Sequence, residues 1–218
     1  MSRSPFDPRY ENLPASLPIF PLPGALLLPG GRLPLNVFEP RYLNMMRDAI
    51  AGERLIGMIQ PSQESDDPGT AETYRTGCTG RIVAFSETED RRYLITLAGL
   101  IRFDIASELP LEQGYRRVAP DFERFRDDLS EDTDDVDRES LLEALRAYFE
   151  VSGLDSDWSA VEKAPDESLV TSLAMACPFD PPEKQALLEA MTLSERAETL
   201  ITILRMSVLE SDQNMPRH

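Results

Sequence analysis

The sequence predicts an α+β protein in which a β-region of many short strands precedes an α-helical region. Three observations carry this. Short apolar or alternating segments recur through residue 126, divided by Pro, Gly and polar turns. From residue 139 onward the apolar residues recur at i, i+3, i+4 and i+7 behind helix-capping signals. The charge changes between the same two regions: residues 1–120 hold 15 acidic and 13 basic side chains, net -2, and residues 121–218 hold 24 and 9, net -15, out of a total of -17. The chain divides accordingly into an N-terminal extension 1–14, a β-region 15–126 with one inserted helix, an acidic linker 127–138, a helical region 139–210 and a mobile polar tail 211–218.

In the β-region, Ala25–Leu28 and Leu33–Val37 are short apolar pieces around the turn Pro29-Gly30-Gly31, and Leu55–Ile59 is another. Arg81–Phe85 and Tyr93–Leu97 flank Glu87-Thr88-Glu89-Asp90, which reads as a hairpin loop. Leu100–Ile105 alternates, with Ile101, Phe103 and Ile105 on one face. Tyr115–Val118 and Phe122–Phe125 read as edge strands. Strands of this length and spacing suggest a small barrel or a folded sheet. The inserted helix starts at Pro40, carries Tyr42, Met45, Met46, Ala49 and Ile50 on one face, and stops at Gly52.

In the helical region Leu141, Leu142, Leu145 and Phe149 form one stripe, ended by Gly153. Leu169, Val170, Leu173 and Cys177 form a second. Asp180-Pro181-Pro182-Glu183 is a capping box with proline in the first turn. Thr192-Leu193-Ser194-Glu195 is another, leading into an amphipathic helix through Ala197, Leu200, Ile201, Leu204 and Val208. Asp135 and Asp137 stand where they favour the N-terminus of the helix that follows the linker.

Residue types limit the chemistry. The one histidine, His218, is the last residue, so a Ser-His or Cys-His pair lacks an internal base. A zinc site would lack an internal imidazole, and Cys78 and Cys177 form no C-x-x-C motif. The cysteines read as reduced, partly buried thiols of a cytoplasmic protein, with one long-range disulfide as the alternative. The acidic segment Asp127–Glu139 contains no glycine and reads as a solvated linker rather than a calcium loop. No metal or cofactor is expected. The excess of carboxylates disfavours phosphate backbones and anionic membranes as partners of the whole chain. Residues Asn12–Gly31 are uncharged, but five prolines between Pro14 and Pro29 exclude a spanning helix. A signal peptide is disfavoured by Asp7 and Glu11 among Arg3 and Arg9.

Leu17-Pro18-Ile19-Phe20-Pro21-Leu22, Leu28-Pro29-Gly30 and Leu33-Pro34-Leu35-Asn36-Val37-Phe38-Glu39-Pro40-Arg41-Tyr42 resemble the opening signature of the Lon N-terminal domain family, the LON substrate-binding domain of ATP-dependent protease La and its free-standing bacterial relatives. Gly77–Ile82, Tyr93–Phe103 and Leu173–Glu189 extend the resemblance, which covers roughly residues 15–210. It implies a PUA-like β pseudo-barrel followed by an α-helical bundle, and a module that binds polypeptides. These 218 residues contain no G-x-x-x-x-G-K-[ST] loop and no Ser-Lys peptidase segment, so a free-standing, non-catalytic member is expected.

The expected partner is an unfolded polypeptide or another protein, held by an apolar groove and by main-chain pairing at a sheet edge in the cleft between the two regions. Phe38, Tyr42 and Arg102 are the candidate lining residues. Tyr42 also heads the apolar face of its helix, which favours a core position. Met45, Met46, Met58, Met175 and Met206 read as core or as an adaptable groove, and Trp158 as a plug of the helical region. The alternative function is an RNA-binding module using Arg81, Arg91, Arg92, Arg102, Arg116, Arg117, Arg124 and Arg126, with Tyr93, Phe103, Tyr115, Phe122 and Phe125 as stacking partners.

Overall fold

The structure is a computed structural model. It describes residues 8–63, 71–130, 135–154 and 157–214, with residues 212–214 described by their backbone alone. The start of the expected extension, the middle of the acidic linker (131–134) and the end of the expected tail (215–218) lie outside the described residues.

Six strands form one sheet: β1 Leu17–Pro21, β2 Arg32–Val37, β3 Leu55–Ile59, β4 Thr76–Glu87, β5 Tyr93–Glu112 and β6 Tyr115–Asp121. Their order is β2-β5-β4-β3-β1-β6, and a further pairing of β5 with β6 closes the last five into a barrel. Only β1 and β3 run parallel. Closure depends on the length of β5. Residues 93–104 pair with β4, and residues 104–112 with β6. Register shifts at Thr79/Gly80, Ile82/Ala84 and Ile105/Ser107 supply the bulges that let the long strand bend. The two separate strands expected at Tyr93–Leu97 and Leu100–Ile105 are therefore one strand passing through Gly99.

The barrel interior is small. Leu17, Ile19, Ile59, Ile101, Phe103 and Val118 fill it, with Phe122 and Phe125 packed in the same cluster. Phe103 has room because Gly57 and Gly77 face it: a Cβ at either would come within 3 Å of its ring. Phe122 and Phe125 do not lie on a strand. Residues Glu123–Leu129 form a 3-10 segment, and the spacing of three between these phenylalanines suits three residues per turn better than the two of a strand.

The outer face of the barrel carries Phe20, Ile56, Met58 and Cys78, which join α1 (Pro40–Ala51) and the helices of the C-terminal half in one continuous apolar cluster. Those helices are α2 (Arg138–Ser152), α3 (Trp158–Lys163), α4 (Asp166–Ala176), α5 (Pro181–Glu189) and α6 (Leu193–Asn214). Their ends follow the chemistry read from the sequence. Asp137 accepts the Ser140 N–H at 3.0 Å, which holds its carboxyl below the usual range. Gly153 ends α2 in the left-handed conformation, and the Asp180–Glu183 box opens α5. α6 continues past Glu210 to Asn214, into the stretch expected to be tail.

Ala25–Leu28 is not a strand, although Leu26, Leu27 and Leu28 are buried. Three consecutive leucines need apolar surroundings on every side, and this segment finds them by crossing over the bulged part of the sheet. Gly99 bonds to both Gly30 and Gly31, and a Cβ on Gly99 would lie 2.0 Å from the Leu28 carbonyl oxygen. Gly99→Ala should therefore cost about 3 kcal/mol, because a backbone atom must move. Gly24→Ala, with a φ of +69° and nothing within 4 Å, should cost about 1 kcal/mol from strain alone. Urea midpoints of the two variants measure the difference, and equal losses would contradict this packing.

Candidate functional site

The structure separates the three candidate lining residues. Phe38 is 59% exposed, directly after β2, with the Arg92 guanidinium 5.4 Å above its ring. Tyr42 is 3% exposed, and its ring lies 4.2 Å from that of Phe20, so it belongs to the shared core. Beside it Arg41 pairs with Glu39 at 2.7 Å.

Arg102 is 2% exposed, and all five of its N–H groups are engaged. Its Nε and one Nη2 hydrogen go to the Asp128 carboxylate at 2.9 and 2.6 Å. Nη1 donates to the carbonyls of Leu188, at 2.9 Å, and Ala190, and Nη2 to that of Met191 at 3.0 Å. The Arg102 main-chain N–H also bonds Asp128. Arg196 shares the Ala190 carbonyl and donates to Leu187, and burial, with Arg102 as the second cause, lowers it to about 10. Arg102 thus ties β5, the 3-10 segment and the end of α5 together rather than offering a surface to a ligand.

An accessible surface lies elsewhere, around β2. This strand pairs with β5 on one side and is terminal in the sheet. Proline has no N–H, and Pro34 stands opposite Thr96. The Gly99 N–H bonds the Gly31 carbonyl. Both facts put the ladder bonds to β5 at Leu33, Leu35 and Val37, so the main-chain groups of Arg32, Pro34 and Asn36 point away from the sheet. Pairing also sets which residues share the solvent-facing side: Pro34 with Thr96 and Ala84, and Asn36 with Leu94 and Ser86. Leu94 is 45% exposed there, and these six positions carry no charge.

At the start of β2 this edge faces α4 across a cleft of about 430 Å³ between the β and helical regions. Gly30, Gly31, Arg32, Leu33 and Pro34 form one wall, and Glu167, Ser168, Thr171, Ser172, Met175 and Ala176 the other, so the cleft holds one charge of each sign. Met175 sits directly against Gly31, where a Cβ would lie 2.3 Å from its sulfur. Sequence reasoning missed the α4 hydroxyls, whose spacing resembles any helix surface. Pro34 inside a strand was a signal of an edge that could have been used.

The arginines of the RNA reading are scattered and mostly matched. Arg92, Arg102, Arg116, Arg117 and Arg124 pair with Asp90, Asp128, Glu108, Glu112 and Asp104. Arg126 lies over Tyr10. Tyr93, Phe103, Tyr115, Phe122 and Phe125 are all buried. Both cysteines are free and buried; burial raises both thiols, that of Cys177 to about 11. Trp158 is half-buried against Phe149, with ring centroids 5.7 Å apart. Among the described residues no helix is long and apolar enough to cross a membrane.

A closed five-strand barrel, an edge strand beside it and a helical bundle sharing its core define the class of protein. The family model of the ATP-dependent protease La (LON) substrate-binding domain matches residues 16–206, and the chain belongs to that family. It is 32% identical over 205 residues to the Lon protease of Anaeromyxobacter dehalogenans (strain 2CP-C), covering 89% of this chain and 23% of that protein. It is 31% identical over 202 residues to Lon protease 2 of Myxococcus xanthus, covering 89% and 24%. The chain thus spans about a quarter of the length of these relatives. Among solved structures, a Lon N-terminal domain protein from Xanthomonas campestris superposes with a TM-score of 0.62 at 24% identity, covering 86% of this chain and 97% of that one. The N-terminal domain of a Mycobacterium avium complex Lon protease gives 0.58 at 14%, covering 92% and 100%. Both share the fold.

Removing Asp128 tests the Arg102 junction. Asp128→Ala leaves the buried Arg102 guanidinium without its carboxylate and should lower unfolding free energy by about 3–5 kcal/mol. Chemical denaturation measures it, and a loss below about 1 kcal/mol would show that solvent reaches the pair.

Proposed function

We propose that this chain is a non-catalytic polypeptide-binding module of the cytoplasm that holds extended or unfolded segments along the free edge of β2, in the cleft between the two regions. The carrying observation is that edge: one side of β2 is paired, while the other offers outward main-chain groups beside an uncharged sheet face, with the cleft at one end and Phe38 at the other. An added strand would gain main-chain hydrogen bonds, and its side chains would cover Leu94 and Phe38. The substrate-binding domain of the family supports a recognition role, and the apolar character of Phe38 and Leu94 fits unfolded segments, which expose apolar side chains. Tyr42 and Arg102 serve this site by holding the core and the junction behind it.

The test is fluorescence anisotropy with a labelled, reduced and carbamidomethylated model protein that cannot refold. Saturable binding is expected, and Phe38→Ala should weaken it about fivefold, equivalent to about 1 kcal/mol. No saturation at high micromolar concentration would refute the reading. A labelled RNA run in parallel addresses the alternative: a complex that weakens steeply with salt would favour the β-region arginines as the site. The matched arginines and buried aromatics argue against that outcome.

A further inference from the structure

The two walls of the cleft differ in chemistry but share one property: each presents hydrogen-bonding groups without partners. On the β2 wall these are the outward carbonyls of Arg32 and Pro34 and the Arg32 N–H, continued by Asn36 beyond the cleft. On the α4 wall they are the hydroxyls of Ser168, Thr171 and Ser172, which bond nothing among the described residues. The contrast with α6 is informative. There Thr199, Thr202, Ser207 and Ser211 each bond the carbonyl four residues back, at 2.8, 2.9, 3.0 and 2.9 Å. That local bond is the usual resort of a helical Ser or Thr hydroxyl. Thr171 and Ser172 do not take it, although Thr171 is only 5% exposed; Ser168, in the first turn of α4, has no helical carbonyl four residues back. Thr171 lines the cleft, and its unbonded hydroxyl is available to whatever enters it.

We propose that the cleft is a two-sided slot for one extended segment of client polypeptide, held by main-chain hydrogen bonds to β2 on one side and to the hydroxyls of Ser168, Thr171 and Ser172 on the other. This rests on the polypeptide-binding reading and adds the class of client. A strand added to an ordinary sheet edge uses alternate residues and leaves the others bonded to water. A segment in this slot uses both sets. Recognition is therefore read from the main chain, and the client is an extended segment of little fixed sequence that cannot carry proline at successive alternate positions. Met175 against Gly31 forms an apolar floor that leaves the segment's side chains free to vary.

The experiment uses the whole chain and a short labelled peptide of alternating Thr and Leu, with two derivatives N-methylated at odd or at even positions. Simple edge addition tolerates at least the derivative whose methyl groups face away from β2, and both if the register can shift by one residue. The slot tolerates neither, so both should bind about tenfold more weakly than the parent. The double variant Thr171→Val, Ser172→Ala should weaken the parent peptide about fivefold with an unchanged melting curve. If either methylated peptide binds as the parent does, or if the double variant binds normally, the slot is refuted while the polypeptide-binding reading stands. If neither the parent peptide nor the unfolded model protein binds, both fall. A chain that is dimeric in solution and becomes monomeric in Ser172→Phe would identify the occupant as a second copy and overturn the proposal.

Discussion

A guanidinium can leave water only if its donors are matched, and in this protein matching Arg102 brings together three separate parts of the chain, its own strand β5 and two others. Asp128 lies in the 3-10 segment after the barrel, and Leu188, Ala190 and Met191 lie at the end of α5. If any of the three shifted, a charged donor would be left buried and unpaired, which costs more than most single contacts contribute. Arg196 adds a second buried guanidinium near the first, which feels it as a like charge. The remaining positive charge is offset by carbonyls at the C-terminus of α5, the end of a helix that favours cations. The helical region is therefore locked in angle and distance to the barrel, and the cleft beside β2 inherits its width from that lock.

The apolar core works in the same direction. A separate, small cluster fills the barrel, but the larger one runs from Phe20 and Met58 through Leu26–Leu28 into Leu145, Val170, Leu187 and Leu204. The secondary structure changes from sheet to helix near residue 126, but packing does not stop there. The step in net charge is a feature of the surface of the helical half and its approach, and it crosses a junction built on the buried arginines Arg102 and Arg196. The strand face from Pro34 to Asn36 stays uncharged within a molecule of -17, with Arg32 and Arg81 beyond it at the cleft end. An uncharged segment can settle there without displacing fixed charge, which is why main-chain recognition fits this site better than phosphate contacts do.

Much of the fold was legible in the sequence because its signals are local. Pro40 and Gly52 bound α1, the Asp180–Glu183 box opens α5, and stripes such as Met45, Met46 and Ala49 point into the core. The errors fell where local pattern and tertiary demand differ. Ala25–Leu28 has the composition of a strand, but its backbone takes the path left open by Gly99. Phe122 and Phe125 have strand composition as well, but their spacing serves a 3-10 turn against Phe103. The candidate site was less legible. Phe38 is exposed, whereas Tyr42 and Arg102 are interior. A charged residue within an alternating strand gives no sign of whether it meets water or five buried acceptors.

By itself, then, the sequence determined the α+β class, the positions of most helix ends and the membership in a family, because capping, periodicity and a proline-punctuated signature are properties of neighbouring residues. Only the tertiary structure decided that β5 closes the barrel with β6, that Arg102 is a junction, and that the open edge of β2 faces the unbonded hydroxyls of α4. Those facts depend on groups far apart in the chain arriving at hydrogen-bonding distance, and no local pattern records the meeting of distant groups.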